Sequence, residues 1–308
     1  MAAGKRVIVT GATGLIGREV CKELIARGYE VVVFSRNPDS ARAKVPGAAD
    51  YVSWMPAESG PLAAHLDGAW GVISLAGASI AGKRWDDDYK RQIRDTRVIG
   101  TRGLVKAMAA AQEKPKVFIS GSAVGFYGAR DATPLDESAN AGTDFLAGVV
   151  REWEDAAKEA EGLGIRTAVI RTGIVLDKNE GALPQLKLPF QFFVGGPILP
   201  GTQWLSWIHR DDEVGLILFA LENEGARGPV NASAPNPQTN RDFCSSLGKA
   251  MGRPSWMPVP EFALKIVVGE FSEGLTTGQR VIPKKAQELG YEFKYQTSEA
   301  ALRQIFGS

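Results

Sequence analysis

Arg6-Val7-Ile8-Val9-Thr10-Gly11-Ala12-Thr13-Gly14-Leu15-Ile16-Gly17 is a β-branched apolar run that passes straight into three glycines spaced by three. After a buried strand, Gly11 permits a tight turn and Gly14 lets the backbone approach a diphosphate. Gly17 lets the next helix pack closely on the sheet. That helix, from about Leu15, buries Val20, Leu24 and Ile25 and exposes Arg18, Glu19, Lys22 and Glu23. Its N-terminal amides and positive dipole end face the turn. Strand before and amphipathic helix behind are the setting of a dinucleotide-binding turn. The expected cradle is Gly11, Thr13, Gly14, Leu15, Ile16 and Gly17.

Working outward, strand and helix patterns alternate. Tyr29–Ser35, Tyr51–Trp54, Trp70–Ala76, Lys116–Ser120 and Arg166–Leu176 read as further strands. Helical patterns lie near Tyr89–Gln112 and Asp144–Glu161. Such βαβ units predict an α/β fold: a Rossmann doubly wound parallel sheet covered on both faces. After Lys178 the rhythm changes, with prolines and glycines crowding Pro184–Gly201. Residues 1–178 are therefore expected to form the nucleotide-binding domain, with 207–228 returning to it. Residues 179–206 and 229–308 are expected to form a smaller C-terminal substrate lobe over the sheet's carboxyl edge, where ligands of such sheets bind.

The 308 residues can bury a large core. A net charge of +1 gives no global electrostatic case for nucleic acid or an anionic surface as main partner. Cys21 and Cys244 fall in expected helices, are too few for a disulfide framework, and read as reduced core residues. His65 and His209 stand apart from any ligand cluster, so no metal site is expected. No apolar run is long enough for a membrane span. The first strand begins almost at once with no signal segment, so a cytoplasmic protein, or the mature form of an organelle protein, is expected.

The second expected strand ends in Ser35-Arg36-Asn37, with no carboxylate before Asp39. An acidic residue at this point would bind the ribose hydroxyls of NAD, whereas an Arg accommodates the 2′-phosphate of NADP. Arg36 offers a planar fork and Ser35 a hydroxyl, so NADP(H) is the expected cofactor. Ser74-Leu75-Ala76-Gly77 ends the fourth expected strand in small residues, suiting a wall against adenine and diphosphate through Leu75, Ala76 and Gly77.

These features together resemble the extended short-chain dehydrogenase/reductases, in their NAD(P)-dependent epimerase/dehydratase group. Ser120-Gly121-Ser122-Ala123-Val124-Gly125-Phe126-Tyr127-Gly128 resembles the catalytic-serine strand end of that group, Ile170-Arg171-Thr172-Gly173 its sixth strand, and Trp207-Ile208-His209-Arg210-Asp211-Asp212 its late "IHxDD" segment. Arg84-Trp85, Arg97, Gly100-Thr101, Trp153-Glu154, Gly195-Gly196-Pro197, Gly278–Pro283 and Leu289-Gly290-Tyr291 are similar to the "epimerase family protein" branch. Cyanobacterial and plastid members of that branch are labelled cell-division-inhibitor-like, or SulA. The resemblance runs from Arg6 to about Ile305. It implies cofactor contacts for Ser120 and Arg171, and adds the plastid stroma to the expected locations.

The chain departs from the resemblance at the reacting centre. The group's Tyr-x-x-x-Lys pair, which transfers and tunes the proton, falls on Leu146–Val150, or on Phe145–Val149 one residue earlier. Neither register offers a phenol or an amine, only a buried amphipathic face. Arg97 stands where many relatives place an Asn. Ser122 matches the group's catalytic Ser or Thr, and Tyr127 is the nearest phenol that could replace the missing acid. Its pKa would have to be lowered by Arg84 or Arg97. Read as a packed ring, Tyr127 instead has a satisfied hydroxyl. Arg84 and Arg97 suit phosphate or substrate anions. His209 suggests a helix-opening hinge with an Asp as cap. Trp204, Trp207, Phe190, Phe192 and Phe193 read as lobe core, with a substrate cage as the alternative. Two functions follow: an oxidoreductase or epimerase acting on an unknown small molecule, or a cofactor-loaded regulatory protein in cell or plastid division, with a protein partner.

Overall fold

The computed structural model describes residues 4–55, 62–262, 265 and 269–307. Seven parallel strands form the central sheet: β1 (Arg6–Thr10), β2 (Glu30–Ser35), β3 (Asp50–Ser53), β4 (Gly71–Ser74), β5 (Val117–Ala123), β7 (Arg166–Thr172) and β11 (Gly228–Ala232). They run in the order β11-β7-β5-β4-β1-β2-β3. The order reverses between β1 and β4, which opens a crevice beyond their carboxyl ends. The chain is thus an α/β, Rossmann-like protein, as the glycine turn and the βαβ rhythm require.

The strands are apolar on both faces because both are covered. Val7, Val9, Val31, Val33, Ile119 and Ile170 pack on one side against α1 (Leu15–Ala26) and α7 (Arg210–Glu222). Ile8, Val32, Phe34, Val72, Phe118 and Val169 face the other core, beneath α4 (Asp87–Ala110) and α5 (Phe145–Lys158). Cys21 and Cys244 are free and buried.

Two departures have simple causes. The expected strand Arg166–Leu176 is two pieces, β7 and β8 (Ile174–Leu176), broken at Gly173. A Cβ at Gly173 would stand 2.5 Å from the Ser206 carbonyl oxygen, so the chain bends there against the β9 (Trp204–Leu205) to β10 (Trp207–His209) segment. Residues 229–232, read from sequence as lobe, complete the edge strand β11, pairing in parallel with β7.

A third core gathers Leu183, Phe190, Trp207, Phe243, Leu247 and Leu302 from α6 (Leu183–Gln191), β10, α8 (Asn240–Met251) and the terminal helix Ser298–Phe306. The terminal segment is pinned by Asp212: its buried carboxylate accepts the amides of Lys294 (2.8 Å) and Tyr295 (2.9 Å). Phe192 and Phe193 do not join this core. They stand exposed, and Trp204 is only partly buried.

Candidate cofactor and active site

The glycine turn is closed by the protein on two sides and open on the third. Gly11 has φ +69°, and a Cβ there would meet the Leu75 carbonyl carbon at 2.6 Å, so β1 and β4 are joined too tightly for any side chain. At Gly17 a Cβ would lie 2.2 Å from the Gly11 carbonyl oxygen, which fixes the packing of α1 under the turn. Gly14 differs: it is exposed, and its nearest obstacle is the Gly11 oxygen at 3.4 Å. It is also the N-cap of α1, with no side-chain cap and no acidic residue in the first turn. The amides of Leu15 and Ile16 therefore face an open surface at the positive end of a 12-residue helix. That cradle fits a diphosphate.

Around it, Thr10 Oγ1 accepts the Ala76 amide at 3.3 Å, holding Leu75 and Ala76 beside Gly11. The Arg97 guanidinium lies against Gly77, where an added Cβ would be 3.0 Å from Cζ. Burial lowers the Arg97 pKa to about 10, so it stays cationic at neutral pH. At the end of β2, Ser35 Oγ pairs with the Asn37 backbone, and Asn37 caps α2 (Pro38–Lys44) through Ser40 N. Arg36 is exposed and makes no ion pair among the described residues. The Arg84 guanidinium lies against Gly269. Thr13 is tied to α1 through its carbonyl, which accepts from Arg18.

One strand further, register sets Ser74 beside Ser120 and Ser122 beside Arg171. Ser120 is buried and donates to the Gly121 carbonyl. Ser122 donates to Glu154 Oε1 at 2.6 Å. Glu154 is gripped by Arg171 through two bonds of 2.8 Å. A third Arg171 donor reaches the Tyr127 oxygen at 2.9 Å, and that hydroxyl donates to Asn231 Oδ1 at 2.7 Å. Ser122, Arg171, Tyr127 and Asn231 are buried, and Glu154 between them is partly buried. Two expectations change in consequence. Arg171, expected at the cofactor, has its fork committed to Glu154 and its face stacked 3.6 Å from the centre of Phe126. Tyr127, fully buried, has its pKa raised to about 12 by burial, which outweighs Arg171 and makes it a poor proton donor. Its geometry is that of the packed ring.

His209 does open a helix, but as the cap itself. Its Nδ1 accepts the Asp211 amide at 3.1 Å, so Nε2 carries the proton toward Gln304 Oε1 at 3.0 Å. Burial holds its pKa below the ordinary value and keeps it neutral. The structural need met by Asp212 lies at the chain's other end, so the cap role expected for an Asp passes to the imidazole.

Glu154, Asn231 and Glu137 were assigned no role from sequence, although all three organise this region. Asn231 donates to the Ile282 carbonyl, and Glu137 accepts the amides of Asn231 and Lys285. A signal for Glu154 existed: a carboxylate beside the apolar stripe of α5, and an Arg in the middle of a buried strand, each demand a partner.

Comparison with known proteins agrees with this architecture. Residues 7–146 match the NAD dependent epimerase/dehydratase family, and residues 259–305 match a domain of unknown function. The epimerase family protein SDR39U1 homolog, chloroplastic, of Arabidopsis thaliana is 42% identical over 97% of this chain and 86% of its own length. The epimerase family protein YfhF of Bacillus subtilis is 39% identical over 97% of both. The crystal structure of human epimerase family protein SDR39U1 with NADPH superposes with a TM-score of 0.88 at 32% identity, covering 98% of this chain and 99% of that one. The chain belongs to the epimerase family proteins of the NAD-dependent epimerase/dehydratase family.

Proposed function

We propose that the protein binds NADP(H) and acts as an oxidoreductase or epimerase on a small molecule held at the carboxyl edge of β5. The observation that carries this is the uncapped N-terminus of α1 opening onto Gly14, with the exposed Arg36 beyond β2 and no carboxylate on Arg36 or its immediate neighbours. Arg36 and Ser35 would hold the 2′-phosphate, the first turn of α1 the diphosphate, and Arg97 with Leu75–Gly77 the flank of the dinucleotide. The human relative solved with NADPH supports the same choice. When bound, the nicotinamide supplies a hydride acceptor or donor.

Ser122 is the polar side chain proposed to meet the reacting carbon. Its single proton is directed to Glu154, so it presents lone pairs and would accept a hydrogen bond from a substrate hydroxyl. Tyr127 acts as a positioning residue through Arg171 and Glu154. With hydrocarbon at Leu146 and Val150, general acid/base help worth about 10²–10⁴-fold is missing, and turnover should be slow. The test is stopped-flow reduction or oxidation of the nicotinamide across a panel of small alcohols and ketones. Activity should fall with Ser122→Ala and largely survive Tyr127→Phe; activity indifferent to Ser122→Ala places the reaction elsewhere.

The apolar Phe145–Val150 stretch also favours a second reading: a cofactor-loaded regulatory protein, in cell or plastid division, located in cytoplasm or plastid stroma. Under that reading Gly14→Val would disturb a partner interaction, and no member of the panel would turn over.

A further inference from the structure

Two serines at the carboxyl end of β5 use their protons differently. Ser120 donates to a backbone carbonyl, that of Gly121. Ser122 donates to Glu154 Oε1 at 2.6 Å, within the range of a charge-assisted O–H···O⁻ bond. Glu154 does not depend on that proton for its burial. Arg171 already donates to both of its oxygens at 2.8 Å, and Arg171 is itself held by the Tyr127 oxygen and the face of Phe126. The carboxylate is therefore fixed in place with one oxygen turned to Ser122.

The helix explains how it arrives there. Leu146, Val150 and Glu154 follow at steps of four along α5, so they lie along one side of it. An added Cβ at Gly125 would stand 3.8 Å from Leu146 Cβ, which turns that side toward the segment carrying Ser122 and Tyr127. Two hydrocarbons occupy the first positions of the row, and the first group able to take a proton comes one turn later. Tyr127 offers no competing route, since its proton is given to Asn231 and burial holds its pKa at about 12. The Glu154 side chain keeps 13% of its surface exposed, against 4% for Arg171, so a proton taken there can leave to water.

We propose that Glu154 is the proton acceptor of the reaction, working through Ser122. This rests on the oxidoreductase reading above. As a substrate alcohol is oxidised, its C–H bond breaks and the hydrogen leaves with both electrons as hydride to the nicotinamide. The O–H bond breaks as the C=O bond forms, and the hydroxyl proton passes to Ser122 Oγ. The serine's own proton passes to Glu154 Oε1 and from there to water. Reduction of a ketone runs the same path backwards. Glu154 thus supplies part of the help that Leu146 and Val150 cannot, by two transfers in place of one, in keeping with slow turnover.

The first test needs no substrate: thiolate absorbance of Ser122→Cys followed against pH, with and without Glu154→Gln. Cys21 and Cys244 stay silent, because burial raises both to about 12. Beside a carboxylate the introduced thiol should ionise above its ordinary value of about 8.5. Glu154→Gln removes that charge and leaves Arg171 facing the thiol, so the pKa should fall by about one unit or more. An ordinary or lowered thiol in Ser122→Cys alone overturns the proposal, as does a titration that Glu154→Gln leaves unmoved. On any alcohol of the panel that is oxidised, Glu154→Gln should cost about 10²-fold or more with NADPH affinity retained. Combining it with Ser122→Ala should cost no more than the larger single loss, as members of one relay require. Glu154→Asp keeps the ion pair but draws the carboxylate back from Ser122, and should cost about tenfold. Turnover indifferent to Glu154→Gln, or additive losses, overturn the relay. A panel on which nothing turns over counts against the oxidoreductase reading, while the thiol titration still decides whether Glu154 holds its charge on Ser122.

Discussion

Glu154 and Arg171 are worth less as a bond than as a mutual necessity. Each is nearly shut off from water, and neither could be buried charged without the other. Glu154→Ala should therefore destabilise the protein by about 3–5 kcal/mol in denaturant unfolding. Adding Arg171→Met should recover part of the loss; an additive double variant would show that the pair is not coupled. Glu213 is a different buried carboxyl. Thr172 donates to one oxygen at 2.7 Å, the other oxygen has no partner among the described residues, and desolvation raises its pKa to about 8. In the unfolded chain it ionises near 4.5, the ordinary value for a glutamate. Between those values the folded state holds a proton that the unfolded state has released, so stability falls as pH rises through this window. Relative to Glu213→Gln, the wild type should lose about 3 kcal/mol from below the window to pH 7. Parallel pH–stability curves for the two proteins would contradict this assignment.

At the scale of elements, the turn between β1 and α1 separates two kinds of glycine. Gly14→Val should abolish nucleotide binding in a folded protein, because its Cβ enters space the protein leaves open. Gly17→Ala should instead damage folding, since its Cβ would collide with the Gly11 backbone. Circular dichroism with NADPH titration separates the two; wild-type affinity in folded Gly14→Val would remove the cradle from the site. These glycines were legible in the sequence because strand, spacing and helix repeat one local geometry. Glu154 was less so: its role depends on β5, β7 and α5 meeting, and no local spacing records that meeting. The same holds for the break at Gly173, which answers to the Ser206 carbonyl thirty-three residues on.

For the molecule as a whole, the alternation of strand and helix fixed the sheet, while the lobe obeyed no period. Leu183, Phe190 and Trp207 found its core, but Phe192 and Phe193 beside them did not. An apolar residue in a proline- and glycine-rich stretch has no face until distant partners assign one. His209 shows the limit from the polar side: an imidazole and two aspartates at a helix start were readable as a cap, though not which group would serve. Sheet and cradle together suit a dinucleotide, and the dinucleotide proposed is the phosphorylated one. Calorimetric titration of NADPH and NADH into the wild type and Arg36→Ala tests that claim most directly. NADPH should bind the wild type more tightly, and Arg36→Ala should weaken NADPH alone by about tenfold or more, the loss of one charge-assisted bond. Equal affinities of the wild type for the two cofactors would contradict the account.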